Sequence, residues 1–153
     1  MAAVTDIRPA IPLDAAREYV RRGWCVVPIP FKKKKALRKD WQHLRLTEDQ
    51  LPEYFYQPAN IGLILGEPSG WLVDVDLDCP EAIELADEYL PPTPAITGRP
   101  GKLRSHRWYY ASGAVTKKHT DPVTRKMIVE LRSTGGQTVV GPSIHPDDGS
   151  QYE

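Results

Sequence analysis

Asp74 and Asp76 are the residues best placed to do chemistry. They lie in Trp71-Leu-Val-Asp-Val-Asp-Leu-Asp78, where Val73, Val75 and Leu77 alternate with the acids. A period of two marks a strand, and a strand sets side chains i and i+2 on one face. Asp74, Asp76 and, at its end, Asp78 then share a face opposite an apolar one. Stacked carboxylates repel unless a cation lies between them. A divalent ion such as magnesium, which takes one or two carboxylates plus substrate phosphates, meets that need. A solvated strand edge running into a helix cap accounts for the same pattern, and the strand alone leaves both open. Asp78 precedes Cys79-Pro80-Glu81 and reads mainly as the cap of the next helix.

Two more groups join the acids. Ser105-His106 closes the basic glycine-bearing loop that begins at Gly98-Arg99-Pro100-Gly101-Lys102 and opens a strand. Glu130 is a lone acid on the polar side of a strand over Lys126 to Arg132, whose Met127, Val129 and Leu131 read as core. Carboxylates, a histidine and flexible basic donors are the parts needed for two-metal phosphoryl or nucleotidyl transfer. Taken singly, His106 also reads as an internally bonded strand histidine. Trp108 and Tyr110 share its parity and suit a core or a base-stacking platform.

The charges are sorted although the net charge is zero. Residues 74–88 hold seven acids and no Lys or Arg. Lys32, Lys33, Lys34, Lys35, Arg38 and Lys39 form a basic loop with no acid among them. Such segregation suits a polyanionic partner beside a metal-binding cluster. A solvated loop is the plainer reading of the lysines.

The elements that must position these residues follow from periodicity. A helix is expected over Leu13 to Arg22, stopped by Gly23, and a buried strand over Trp24 to Ile29. Thr47-Glu-Asp-Gln50 has the capping-box pattern of a short helix to about Tyr56. Asn60 to Leu65 reads as a strand that pairs with the acidic strand as a hairpin. A helix to about Tyr89 follows, with Ala82, Ile83, Ala86 and Tyr89 inward. Short strands are expected at Pro94–Thr97, His106–Ala111, Lys126–Arg132 and Gln137–Val140, and residues 112–125 as a basic loop. The order predicts an α+β sheet with helices packed on one face.

At 153 residues the chain suffices for one cored domain. No apolar run approaches the ~20 residues of a membrane span, and no signal-peptide apolar stretch opens the sequence. The cytoplasm is the expected compartment. Cys25 and Cys79 stand alone, without the spacing of a zinc site or a disulfide framework. Residues 1–11 are expected to be a flexible lead-in.

Three ordered stretches together resemble a known family. They are Trp71 to Asp78, Arg99 to Tyr110, and Val129-Glu-Leu-Arg-Ser-Thr-Gly-Gly-Gln-Thr-Val-Val-Gly-Pro-Ser-Ile-His-Pro146. They are similar to the motifs of the bifunctional DNA primase/polymerase domain of the archaeo-eukaryotic primase superfamily, over roughly residues 12–153. The resemblance implies an RRM-like catalytic sheet beside an N-terminal α/β unit. It implies catalytic roles for Asp74, Asp76, His106 and Glu130, with a two-metal site of Mg2+ or Mn2+ on Asp74, Asp76 and Glu130. The family more often has Asp where this chain has Glu130. Lys102, Arg104, Ser105 and His106, with Ser143 and His145, are then expected at the incoming nucleotide, and the 32–39 loop at the nucleic acid. The implied partners are a single-stranded DNA template, nucleoside triphosphates and a helicase domain or subunit. The chain closes at Gln151-Tyr152-Glu153 as if a strand were starting, which suggests a C-terminally truncated domain. A binding module without catalysis is the alternative. A nucleotide-sugar glycosyltransferase or a haloacid-dehalogenase-type phosphatase fits the acidic strand alone but not the Ser-His and Pro-Ser-Ile-His stretches.

Overall fold

The computed structural model describes residues 10–153. Most of the expected lead-in, residues 1–9, lies outside the described residues; Ala10 and Ile11 are irregular and exposed. The fold is α+β, with two antiparallel sheets. Helix α1 (Leu13–Arg21) leads into β1 (Cys25–Pro30). The short α2 (Leu51–Tyr54) precedes β2 (Ala59–Ile64) and β3 (Leu72–Leu77). Helix α3 (Pro80–Tyr89) is followed by β4 (Ile96–Arg99), β5 (Lys102–Tyr110), β6 (Lys117–Thr120), β7 (Met127–Arg132) and β8 (Gln137–Val140). The small sheet runs β1-β2-β8 and the large one β4-β5-β3-β7-β6. In the large sheet β3 lies in the middle with β5 and β4 to one side and β7 to the other.

The acidic strand is not a solvated edge. All six residues of β3 are buried, with β5 and β7 flanking it. Val75 and Leu77 pack under α3, whose Ala86, Ala82 and Ile83 supply the apolar stripe. Leu72 and Trp108 join the other core, which α1 and α2 close over β1 and β2 through Ala16, Leu51 and Phe55. The two sheets thus meet near Leu72 and Trp108, and further along the same face a cleft opens at the acids. Burying these aliphatic side chains stabilises each layer by roughly 1.5–3 kcal/mol per residue. Among the described residues no helix is long and apolar enough to cross a membrane.

Four expectations are corrected. Strands β2 and β3 lie in different sheets and share only the bridge between Gly66 and Leu72, so they form no hairpin. Tyr89 is 74% exposed, since α3 ends beyond the edge of its apolar neighbours. Strand β6 stands inside the expected loop; its four residues are all exposed, so no apolar alternation marks it. Cys79, not Asp78, occupies the N-cap position of α3 and makes no side-chain cap bond. The Asp78 carboxylate pairs instead with Lys102 Nζ at 2.7 Å.

Gly66 makes the switch between sheets possible. Its φ is +77°, and a Cβ there would collide with the Thr134 backbone. Gly66→Ala is expected to cost about 1–3 kcal/mol, read as a lower urea midpoint with an unchanged slope.

Candidate active site

Strand register assembles the site. Asp76 lies opposite His106 on β5 and Glu130 on β7. Asp74, two residues back on the same face, lies opposite Trp108 and Arg132. Three neighbouring strands therefore bring Asp74, Asp76, His106 and Glu130 to one side of the sheet, as the alternation of polar and apolar residues predicts.

Asp74 is fully buried and held from three sides. His106 Nδ1 lies 3.0 Å from each of its oxygens, and the Thr138 hydroxyl donates to Oδ2 at 2.7 Å. Arg132 Nη1 stands 3.8 Å away. An acceptor carboxylate demands a proton on Nδ1, which leaves Nε2 for the cleft. Burial works to lower the His106 pKa, but the charge and hydrogen bond of Asp74, with Asp76, outweigh it, and the ring titrates above its ordinary range. Asp76 moves upward as well. Burial is the main cause and Asp74 adds to it, against the pull of His106, Arg132 and Lys102. Its Oδ2 lies 2.6 Å from Arg132 Nη2, while its buried Oδ1 has no hydrogen-bond partner. Glu130 Oε2 accepts from Arg132 Nε at 2.9 Å.

Asp76, Asp78 and Glu130 line a cleft of about 410 Å³. Its wall carries the cations Lys34, Lys35, Arg99, Lys102 and Arg132. The lysine loop is aimed by its backbone: Asn60 Nδ2 donates to the Lys33 carbonyl at 3.0 Å and Gln137 Nε2 to the Lys34 carbonyl at 2.7 Å. Only Lys34 and Lys35 of that loop line the cleft. Lys32 lies over the Phe31 ring, Lys33 and Lys39 are exposed, and Arg38 pairs with Asp40 at 2.8 Å.

The expected nucleotide contacts divide. Lys102, Ser105 and His145 line the cleft. Lys102 spans Asp78 and, at 3.6 Å, Asp76. His145 is buried beside Tyr152, and its Nδ1 accepts the Asp147 N–H at 3.2 Å. Arg104 does not face the cleft. Its backbone is left-handed, with φ +56°, and its guanidinium lies 3.5 Å from Asp87 on α3. Ser143 is likewise spent elsewhere: its buried hydroxyl accepts the Ile61 N–H at 2.8 Å and ties the loop after β8 to β2. Arg132 and Thr138 were missed as site residues. Arg132 shares the parity of Glu130, and that was the signal available for it.

The family model for the bifunctional DNA primase/polymerase N-terminal domain matches residues 16–153. The chain belongs to this family. No curated protein sequence matches it. The divalent metal expected from the sequence would find its donors here in Asp74, Asp76 and Glu130. Three carboxylates supply hard oxygens, the kind that Mg2+ and Mn2+ take. The unpartnered buried Oδ1 of Asp76 is the atom such an ion would satisfy. Among the described residues no three acids or histidines are drawn together tightly enough to hold an ion as they stand. Arg132 lies within 3.8 Å of all three carboxylates.

Proposed function

We propose that this primase/polymerase-family domain catalyses metal-dependent, template-directed nucleotidyl transfer to a 3′-hydroxyl from a nucleoside triphosphate. The observation that carries the reading is the register of three strands, which sets Asp76 between His106 and Glu130 at the head of a cationic cleft. Asp74, Asp76 and Glu130 would hold Mg2+ or Mn2+, which would supply charge stabilisation at the attacking and leaving oxygens.

The rest is positioning and charge. Asp74 fixes the His106 ring and keeps it protonated, so that Nε2–H is a donor to a phosphate oxygen. Lys102 and Arg99 add charge from β4 and β5, and Lys34 and Lys35 from the opposite lip. Holding both reactants in line and offsetting the developing negative charge supplies most of the rate in reactions of this type. The template and the leaving group are both polyanions, which the cleft suits. A second reading, a nucleotide- or nucleic-acid-binding module without turnover, is favoured by the Arg132 guanidinium at the centre of the acids.

Primer extension on a single-stranded template with Mg2+ or Mn2+ separates the two. Metal-dependent extension supports the polymerase; oligonucleotide binding by the folded wild type without extension supports the module. Under either reading Lys34 and Lys35 meet the polyanion. The double variant Lys34→Ala/Lys35→Ala is expected to flatten the slope of log K against log salt for single-stranded DNA by about 1.4, since each phosphate that a cation neutralises on a single strand accounts for ~0.7. Arg104→Ala is expected to leave that slope unchanged, and anisotropy titrations at several salt concentrations read both.

A further inference from the structure

We propose that Arg132 is a built-in counter-cation that holds the three carboxylates in the metal-free protein and competes with a divalent ion for Asp76. The proposal rests on the metal-site reading of Asp74, Asp76 and Glu130. Arg132 reaches all three: Nη2 to Asp76 at 2.6 Å, Nε to Glu130 at 2.9 Å and Nη1 to Asp74 at 3.8 Å. Planar guanidinium forks suit such multiple carboxylate contacts. An ion held by these acids would draw on the same carboxylate charge that Arg132 now neutralises. Arginine and ion therefore compete.

The competition falls on one ligand. Asp74 is locked by His106 and Thr138 whether or not Arg132 is there. Asp76 has no hydrogen bond on Oδ1, and Lys102 and His106 approach that oxygen only at 3.6 and 3.7 Å. Asp76 is thus the acid that exchanges partners. Arg132 also has somewhere to go. Its Nη1 already lies 3.3 Å from the Thr138 hydroxyl, and the side chain is 26% exposed at the cleft wall. A guanidinium released there meets whatever phosphates the cleft holds. Metal and triphosphate should then bind cooperatively, because the triphosphate offers Arg132 a new partner when the ion takes the old one.

Manganese titrations followed by EPR test this on wild type, Arg132→Lys and Arg132→Gln, with Asp76→Asn as the ligand control. Removing a unit positive charge from beside the acids is expected to tighten Mn2+ binding of Arg132→Gln by about tenfold or more. Arg132→Lys, which keeps the charge but loses the fork, falls between. The Mn2+-induced rise in melting temperature is largest for Arg132→Gln, and a non-hydrolysable triphosphate tightens Mn2+ binding more in wild type than in that variant. If Arg132→Gln is too unstable to purify without metal, the comparison of Arg132→Lys with wild type decides. Equal or weaker Mn2+ binding in the arginine variants, with Asp76→Asn still abolishing it, overturns the proposal and leaves the metal site standing. No Mn2+ binding by wild type or by either arginine variant sinks the metal site and the proposal with it.

Discussion

Asp76→Asn is expected to abolish primer extension, by about 10³-fold or more, without weakening the fold. Loss of a metal-holding charge removes several kcal/mol from the transition state, and each 1.36 kcal/mol is about tenfold in rate. Asparagine keeps the shape and gives up the charge. Arg132 retains Glu130 and Asp74 as partners, so no cation is left stranded. The charge itself sits uneasily: burial raises the Asp76 pKa above its ordinary 3.8. A carboxyl with a raised pKa contributes most stability below 3.8, and that contribution falls as pH rises through the folded value. At pH 7 in chelator the variant should therefore melt no lower than wild type. A variant that is inactive but much less stable would mean that Asp76 is structural, held for Arg132 and not for an ion.

The strand bearing this acid was readable because a buried central strand keeps strict alternation, and Val73, Val75 and Leu77 declare their face. Parity also identified Glu130 as a polar-face residue, while His106 stood out by its place at the end of the basic loop. Their meeting was not readable, since register across β5, β3 and β7 is set by pairing, not by any one segment. Arg132 illustrates this. Two residues from Glu130, it looked like one more strand charge until β7 was laid beside β3. Arg104 failed for a local reason: a left-handed backbone turns its side chain out of the cleft. Asp78 looked like a cap because it stands one residue before Cys79-Pro80, and the true cap position bears Cys79. The split into two sheets was hidden in the turn between β2 and β3, where Gly66, Gly70 and Trp71 all take positive φ. Ser143 was expected at the nucleotide from the resemblance, but its hydroxyl is fixed to β2 by a bond no sequence spacing announces.

Asp74→Ala is expected to be the most destabilising substitution at the site, by about 3–5 kcal/mol, because it leaves buried charge without its partner. His106 would lose both oxygens that accept from Nδ1, and Thr138 its acceptor. The effect has a pH signature in metal-free buffer. The folded His106 pKa lies above the ordinary 6.5, so its pairing with Asp74 stabilises in full below 6.5 and is lost as pH rises through the folded value. The gap between wild type and Asp74→Ala should therefore be wide near about pH 5.5–6.5 and narrow above the raised His106 pKa. What remains at high pH is the neutral ring's Nδ1–H bond to Asp74, the Thr138 bond and the Arg132 contact. Urea unfolding at several pH values measures the gap directly. A gap that stays constant would mean that His106 is neutral in the folded protein, and it would remove the imidazolium from the proposed phosphate contact. His106→Gln separates the contributions: a neutral donor to Asp74 should recover much of the stability at high pH and none of the pH dependence, while extension falls by about 10²-fold, the scale of losing one charge-stabilising donor.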